Sequence, residues 1–180
     1  GLPEWDLEPM GGYDSLHRVA VTQRELFATL PPMPGVTSVL RRLSVNNVRI
    51  RIITHRLFIK YFHQQAVRQT IQWLDHHGIP YWDLCFMAEK GEVGADLYLE
   101  DSPSNIRKLR DGGHRVIIFG NSTNRHVKGD RVESWAEIEE KVIGVIHEMG
   151  LPYPLPAKHT EYPDRLINIP WNFLPSKLSR

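Results

Sequence analysis

The 180-residue sequence contains a single cysteine, Cys85, and no excess of charge of either sign. One cysteine excludes an intrachain disulfide and a Cys-rich zinc site. The 22 Lys and Arg residues are balanced by 21 Asp and Glu residues, for a net charge of +1, so the chain lacks the basic surplus of a dedicated nucleic-acid binder. No apolar run approaches the roughly 20 residues of a membrane helix, and no signal-peptide pattern is present. We therefore expect a cytoplasmic protein with neither a nucleic-acid nor a membrane partner.

Two sequence motifs that are typical of other enzyme classes are also absent. None of the nine histidines forms the helical His-x-x-x-His pair that is typical of zinc hydrolases. The turn after the first predicted strand, Thr54-His55-Arg56-Leu57, contains no glycine, whereas a dinucleotide-binding fold needs a Gly-rich turn there. These patterns argue against both a zinc enzyme and a dinucleotide-binding domain.

The apolar periodicity predicts strands that alternate with helices along the chain. The predicted helices cover about residues 14–30, 34–43, 64–77, 103–111 and 134–149, and the predicted strands cover 48–54, 81–87, 96–100 and 116–119. Ser102 and Ser134 are predicted N-caps, the second with Glu137 as its capping-box partner. This order predicts an α/β fold, a three-layer Rossmann-like parallel sheet with helices on both faces.

Polar residues follow the strands of this predicted sheet. Thr54, His55 and Arg56 follow the first strand, Lys90 precedes the third, and Glu100 and Asp101 end it. Asn121, Ser122 and Asn124 follow the fourth strand. In such sheets the functional site lies beyond the carboxyl ends of the strands. A hydroxyl, an ammonium and adjacent carboxylates at that edge indicate a magnesium-assisted phosphate site, because Mg²⁺ binds one or two carboxylates together with phosphate oxygens.

The runs Ile52–Thr54 and Glu89–Pro103 resemble motifs II, III and IV of the haloacid-dehalogenase phosphohydrolases, and most closely those of deoxyribonucleotidase-type 5'-nucleotidases. The resemblance implies hydrolysis of a nucleoside or deoxynucleoside monophosphate to the nucleoside and phosphate, with Mg²⁺ as cofactor. It implies that Thr54 binds phosphate, that Lys90 binds phosphate and stabilises the nucleophile, and that Asp101 ligates Mg²⁺ with Glu100 behind it. We add the neighbouring His55 and Arg56 as candidate phosphate contacts.

The family's first motif, an Asp-x-Asp run that ends the central strand and supplies an aspartate nucleophile, is missing from the sequence. No two aspartates are separated by one residue, and Asp6-Leu7-Glu8 has acids at this spacing but no apolar strand before them. We therefore expect the sheet to lack its central first strand and the 180-residue chain to be inactive by itself. The alternative is a non-catalytic relative that binds phosphate or a nucleotide, or acts as an interaction protein.

The resemblance, which covers about residues 15–150, and the proline content of the tail together suggest three parts of the chain. Residues 1–30 are predicted to contain the last part of a helical cap, residues 31–150 the α/β core, and residues 151–180 an irregular Pro-rich extension. The extension contains six of the 13 prolines, and it either packs on its own domain or contacts a second subunit. An oligomer is compatible with this sequence.

Overall fold

A computed structural model describes residues 15, 18–19, 25–57 and 62–157 of the chain. The helices in this part are α1 (Leu26–Thr29), α2 (Val36–Val45), α3 (His63–His76), α4 (Pro103–Asp111) and α5 (Trp135–Glu148), with a 3-10 helix at Lys90–Val93. The strands are β1 (Arg51–Thr54), β2 (Asp83–Phe86), β3 (Tyr98–Glu100), β4 (Val116–Phe119) and β5 (Arg131–Val132). None of the described helices combines the length and the apolar character needed to cross a bilayer.

The described strands pair in parallel but form two separate sheets. In the first, β1 lies beside β2, with Thr54 opposite Phe86. In the second, β4 lies between β3 and β5, with Glu100 opposite Ile118. Within the described ranges, β1 pairs only with β2 and β3 pairs only with β4. Each sheet therefore has an edge strand that ends in residues predicted to belong to the site.

Helices cover both faces of these strands. This is seen along β4, whose residues alternate between two apolar clusters on opposite faces. Ile117 and Phe119 pack with apolar residues of α2, α3 and α5, together with Ile52 of the first sheet. Val116 and Ile118 pack with α4 on the other face, against which Ile53 also lies. Both clusters contain residues of both sheets. The predicted parallel α/β architecture with helices on both faces is confirmed.

The start of the described chain differs from the continuous helix predicted over residues 14–30. Ser15, Arg18 and Val19 are helical, but Glu25 has a φ of 45°, which an α-helix does not accommodate. The Glu25 carbonyl instead accepts hydrogen bonds from the N–H groups of Ala28 and Thr29, so a new helical turn begins after it. The prediction of one uninterrupted helix is wrong at this residue.

Other boundaries moved by one to three residues. β1 begins at Arg51 rather than at residue 48, although the Ile50 carbonyl still accepts a hydrogen bond from the Trp82 N–H at 2.8 Å. The short strand β5 and the 3-10 helix were not predicted. The capping box is also wrong in detail, since the Ser134 hydroxyl donates to the Glu137 carboxylate at 2.7 Å and caps no backbone N–H.

The first residues of the Pro-rich extension pack on the core. The Leu155 N–H donates to the Asn46 carbonyl at 3.2 Å, and Asn47 Nδ2 donates to the Leu155 carbonyl at 2.7 Å. This joins the extension to the end of α2. Residues 158–180, the Asp6-Leu7-Glu8 run and most of the predicted cap lie outside the described residues, so the predicted division into three parts stays a prediction.

Candidate active site

The predicted acidic pair lies at the end of β3, and the last residue of the strand, Glu100, has a buried carboxylate. Its side chain is only 6% exposed. The Lys90 ammonium donates to Glu100 Oε2, and Oε1 accepts the backbone N–H groups of Asp101 and Ser102, each at 3.1 Å. Both carboxylate oxygens of Glu100 thus have protein hydrogen-bond partners, as a buried charge requires. Glu100 holds the lysine and the start of α4 in place.

The two neighbouring acids have opposite pKa shifts. Burial alone would raise the pKa of Glu100, but the Lys90 ammonium and the two backbone donors outweigh it and hold this pKa below its ordinary value. Shielding of the Asp101 carboxyl from solvent raises its pKa, and the adjacent Glu100 carboxylate raises it further. Asp101 is nevertheless an exposed residue. A cation at Asp101 would relieve this repulsion, since an opposite charge favours the ionised carboxyl.

A buried asparagine ties the end of β3 to the end of β4. Asn124 is completely buried, and its Nδ2 donates at 2.8 Å to the carbonyls of both Asp101 and Phe119. Its Oδ1 accepts the Asn121 N–H at 3.0 Å and an Arg131 N–H at 2.9 Å. These four bonds use both donors and both acceptor positions of the amide. Asn124 therefore fixes the position of Asp101 from behind.

Asn121 is the described side chain that contacts the Asp101 carboxylate. Its Nδ2 lies 3.3 Å from Asp101 Oδ2, and its Oδ1 accepts the N–H groups of Thr123 and Asn124. The sequence placed Asn121 and Asn124 at this edge of the sheet. It did not identify Arg131, which lies on the unpredicted strand β5 and carries no local signal of its own.

The residues after β1 have different surroundings. Thr54 ends the strand, and its carbonyl accepts the Met87 N–H at 3.0 Å. The guanidinium of Arg56 lies over the Phe27 ring, 3.9 Å from its centre, and donates to Thr70 Oγ1 at 2.9 Å. His55 is exposed. Lys90 thus contacts Glu100, and Asp101 contacts the loop after β4. Arg56, by contrast, connects the loop after β1 to α1 and α3.

The donor set at the end of β3 is compatible with Mg²⁺. Among the described residues, no three His, Cys, Asp or Glu side chains converge as a metal-binding group. Magnesium does not require such a group, because it binds through one or two carboxylates and keeps several water molecules. Asp101 is an exposed residue and supplies a carboxylate whose raised pKa a cation would lower. Both Glu100 oxygens have protein partners, which favours an indirect role for Glu100.

A parallel α/β fold with a lysine held by an acid at the end of β3, and a second acid beside it, has the organisation of a haloacid-dehalogenase-type phosphohydrolase. The family model described as "5' nucleotidase, deoxy (Pyrimidine), cytosolic type C protein" matches residues 2–148. A relative from Chlorobaculum tepidum, provisionally named a 5'(3')-deoxyribonucleotidase, is 58% identical over 142 residues, which are 79% of this chain and 70% of the relative. The chain belongs to this family of deoxyribonucleotidase-type 5'-nucleotidases, which are phosphohydrolases.

Proposed function

We propose that the site serves Mg²⁺-dependent hydrolysis of a nucleoside or deoxynucleoside monophosphate to a nucleoside and phosphate. The observation that carries this proposal is the Lys90–Glu100 ion pair directly beside Asp101. It places a fixed cation next to the carboxylate of an exposed residue. In a phosphoryl-transfer site such a cation neutralises phosphate charge directly, and such a carboxylate does so by holding a metal ion. The single free cysteine in the described part of the chain is compatible with the cytoplasmic location that we also propose.

Lys90 is the proposed phosphate-binding cation. An ammonium has three N–H donors, and Glu100 accepts one of them, so the ion pair directs Lys90 without using all its donors. The Thr54 hydroxyl is the proposed second phosphate contact. Thr54 is half-buried and is the last residue of β1, and functional sites of parallel sheets lie beyond the carboxyl ends of the strands. His55 and Arg56 stay proposed contacts of the same group, although Arg56 is already held by Thr70.

Asp101 is the proposed magnesium ligand, with Glu100 behind it. When bound, the metal ion would withdraw charge from the phosphate oxygens and orient the phosphoryl group. Asn124 and Asn121 hold the Asp101 carbonyl and carboxylate, so the carboxylate is oriented before a ligand arrives. Preorganised charge of this kind is an effective means of stabilising a transition state.

The resemblance implies that an aspartate carboxylate attacks phosphorus as the bond to the nucleoside oxygen breaks and a second aspartate protonates that oxygen. Water then hydrolyses the aspartyl phosphate, which releases phosphate and regenerates the carboxylate. No Asp-x-Asp run is present in these 180 residues. We therefore infer that this chain by itself binds phosphate and shows no turnover above background. Binding without hydrolysis is also what the non-catalytic alternative predicts for this chain.

Titration calorimetry with inorganic phosphate, with and without Mg²⁺, tests the binding residues. Lys90→Ala should weaken phosphate affinity by about tenfold or more, as expected for a charge-assisted hydrogen bond, and Asp101→Asn should remove the effect of Mg²⁺. Lys108→Ala and Asp111→Asn, which change exposed residues of α4, are the matched controls. If Lys90→Ala does not fold, Lys90→Ala/Glu100→Ala removes both members of the ion pair.

Equal phosphate affinity in Lys90→Ala and Lys108→Ala would contradict the phosphate-binding assignment. A parallel release assay with deoxynucleoside monophosphates and Mg²⁺ tests turnover of the same chain. Clear turnover that Asp101→Asn abolishes would show that this chain contains the nucleophile, contrary to the inference above.

A further inference from the structure

A second residue of β3 contacts the segment that carries Lys90. Tyr98 and Glu100 are two residues apart and therefore lie on the same face of the strand, and both are buried. Glu100 binds the side chain of Lys90, whereas Tyr98 binds the backbone that follows it. One strand face thus contacts the lysine segment at two points.

The Tyr98 hydroxyl closes the turn immediately after Lys90. It donates to the Gly91 carbonyl at 3.3 Å and accepts the Ala95 N–H at 3.2 Å. Gly94, within this turn, has a φ of 67°, a left-handed conformation that glycine adopts without steric cost. The hydroxyl therefore joins the two ends of the turn 91–95 across its width.

Packing leaves the Tyr98 ring little room to move. The His114 ring lies 5.0 Å from it, centre to centre, and a Cβ added at Gly91 would lie 2.8 Å from His114 Nε2. The glycine thus allows the backbone to approach the His114 ring closely. Tyr98, His114 and the turn form one packed unit, and Lys90 is the residue just before it.

We propose that Tyr98 is a positioning residue for Lys90, whose hydroxyl fixes the turn that aims the ammonium at Glu100 and at a bound phosphate. The phosphate part of this inference rests on the function proposed above for Lys90. Arg51 also donates to the turn, at the Val93 carbonyl at 2.7 Å, so the turn persists without the Tyr98 hydroxyl. What is lost is the precise placement of the residue at its start.

The test compares Tyr98→Phe with Tyr153→Phe in the full 180-residue chain. Each change removes one hydroxyl and keeps the ring, and Tyr153 is the matched control because its buried hydroxyl has no hydrogen-bond partner among the described residues. Competitive acetylation followed by mass spectrometry reports the reactivity of Lys90 relative to Lys108. Calorimetry with inorganic phosphate reports its function.

Tyr98→Phe should raise the Lys90:Lys108 acetylation ratio by about threefold to tenfold, the order of effect expected when the hydrogen bonds of this hydroxyl are lost. Tyr153→Phe should leave the ratio unchanged. Phosphate affinity should fall by a similar factor in Tyr98→Phe. In a Lys90→Ala background the same change should have no effect on affinity, because the coupled residue is absent. A merely structural role would instead weaken phosphate binding equally in both backgrounds.

The outcomes separate the two proposals. An unchanged acetylation ratio in folded Tyr98→Phe overturns the positioning role. A raised ratio, with phosphate affinity that is insensitive to both Tyr98→Phe and Lys90→Ala, supports the positioning of Lys90 and contradicts the phosphate function proposed for it.

Discussion

Replacing Lys90 by Met removes the ammonium from the ion pair and retains most of the side-chain volume. It leaves the Glu100 carboxylate buried, since the Glu100 side chain is 6% exposed and that of Lys90 is 20% exposed. Removing one partner of a buried ion pair costs about 3–5 kcal/mol, because the other charge stays desolvated. Glu100 keeps its two backbone N–H donors, and the pair is partly reached by water. We therefore expect a loss of about 2–3 kcal/mol in the free energy of unfolding at pH 7.

The pH dependence follows from the pKa of Glu100. In the wild type this pKa lies below its ordinary value of 4.5, although burial alone would raise it, because Lys90 and the backbone donors outweigh burial. The carboxylate therefore adds stability above the pKa of the unfolded chain, and this stability is lost as the pH falls through the folded pKa. In Lys90→Met, the contribution of Lys90 is removed and burial raises the folded pKa. The stability difference between the two proteins should therefore shrink as the pH falls from 7 toward about 5.

Urea unfolding at pH 7 and pH 5 measures both effects. Lys108→Met is the control, because Lys108 and Glu89 also form an ion pair, at 3.0 Å, but their side chains are 61% and 56% exposed. Such a surface pair contributes at most about 1 kcal/mol. Glu100→Gln combined with Lys90→Met should lose less than the sum of the single changes. Equal losses in Lys90→Met and Lys108→Met at pH 7 would refute the argument from burial.

Two further predictions concern the packing behind the site. Asn124→Ala should lower the free energy of unfolding by about 2–4 kcal/mol, because removing a buried amide with four hydrogen bonds leaves its partners unsatisfied. Thermal unfolding measures this loss. A loss no larger than that caused by substituting an exposed residue would contradict the prediction. Gly91→Ala should cost about 1–3 kcal/mol through the close approach of its Cβ to His114. In a His114→Ala background, Gly91→Ala should cost less than it does in the wild type, because the ring that its Cβ approaches is absent. An equal cost in both backgrounds would show that another contact is responsible.

The α/β architecture could be predicted from local patterns because each pattern reports the surroundings of one segment. The apolar run Val116–Phe119, predicted as a strand, forms β4 and is buried at every position. Gly78, with a φ of 59°, follows α3 where the helix was predicted to stop. The start of the chain was harder, since the carboxylate of Glu25 pairs with Arg68 at 3.1 Å, a contact between residues 43 positions apart that no periodicity reports.

The candidate site divides in the same way. Lys90, Glu100 and Asp101 could be identified because their types, order and spacing match a known pattern. Arg56 shows what spacing does not reveal: its guanidinium contacts Phe27 and Thr70, so its surroundings depend on how α1 and α3 pack. That Thr54 and Lys90 bind one phosphate together stays a prediction, and the calorimetry above tests the part of it that concerns Lys90.

By itself, then, the amino-acid order determined the alternation of strands and helices, the position of β4 in the chain and the chemical types at the end of β3. Periodicity and side-chain chemistry are local properties, so they can be recognised directly in the amino-acid sequence. Only the tertiary structure decided that Asn124 would hold Asp101 and that Tyr98 would close the turn after Lys90. Those contacts depend on the paths of loops that bring separate segments within hydrogen-bond distance, which no local pattern encodes.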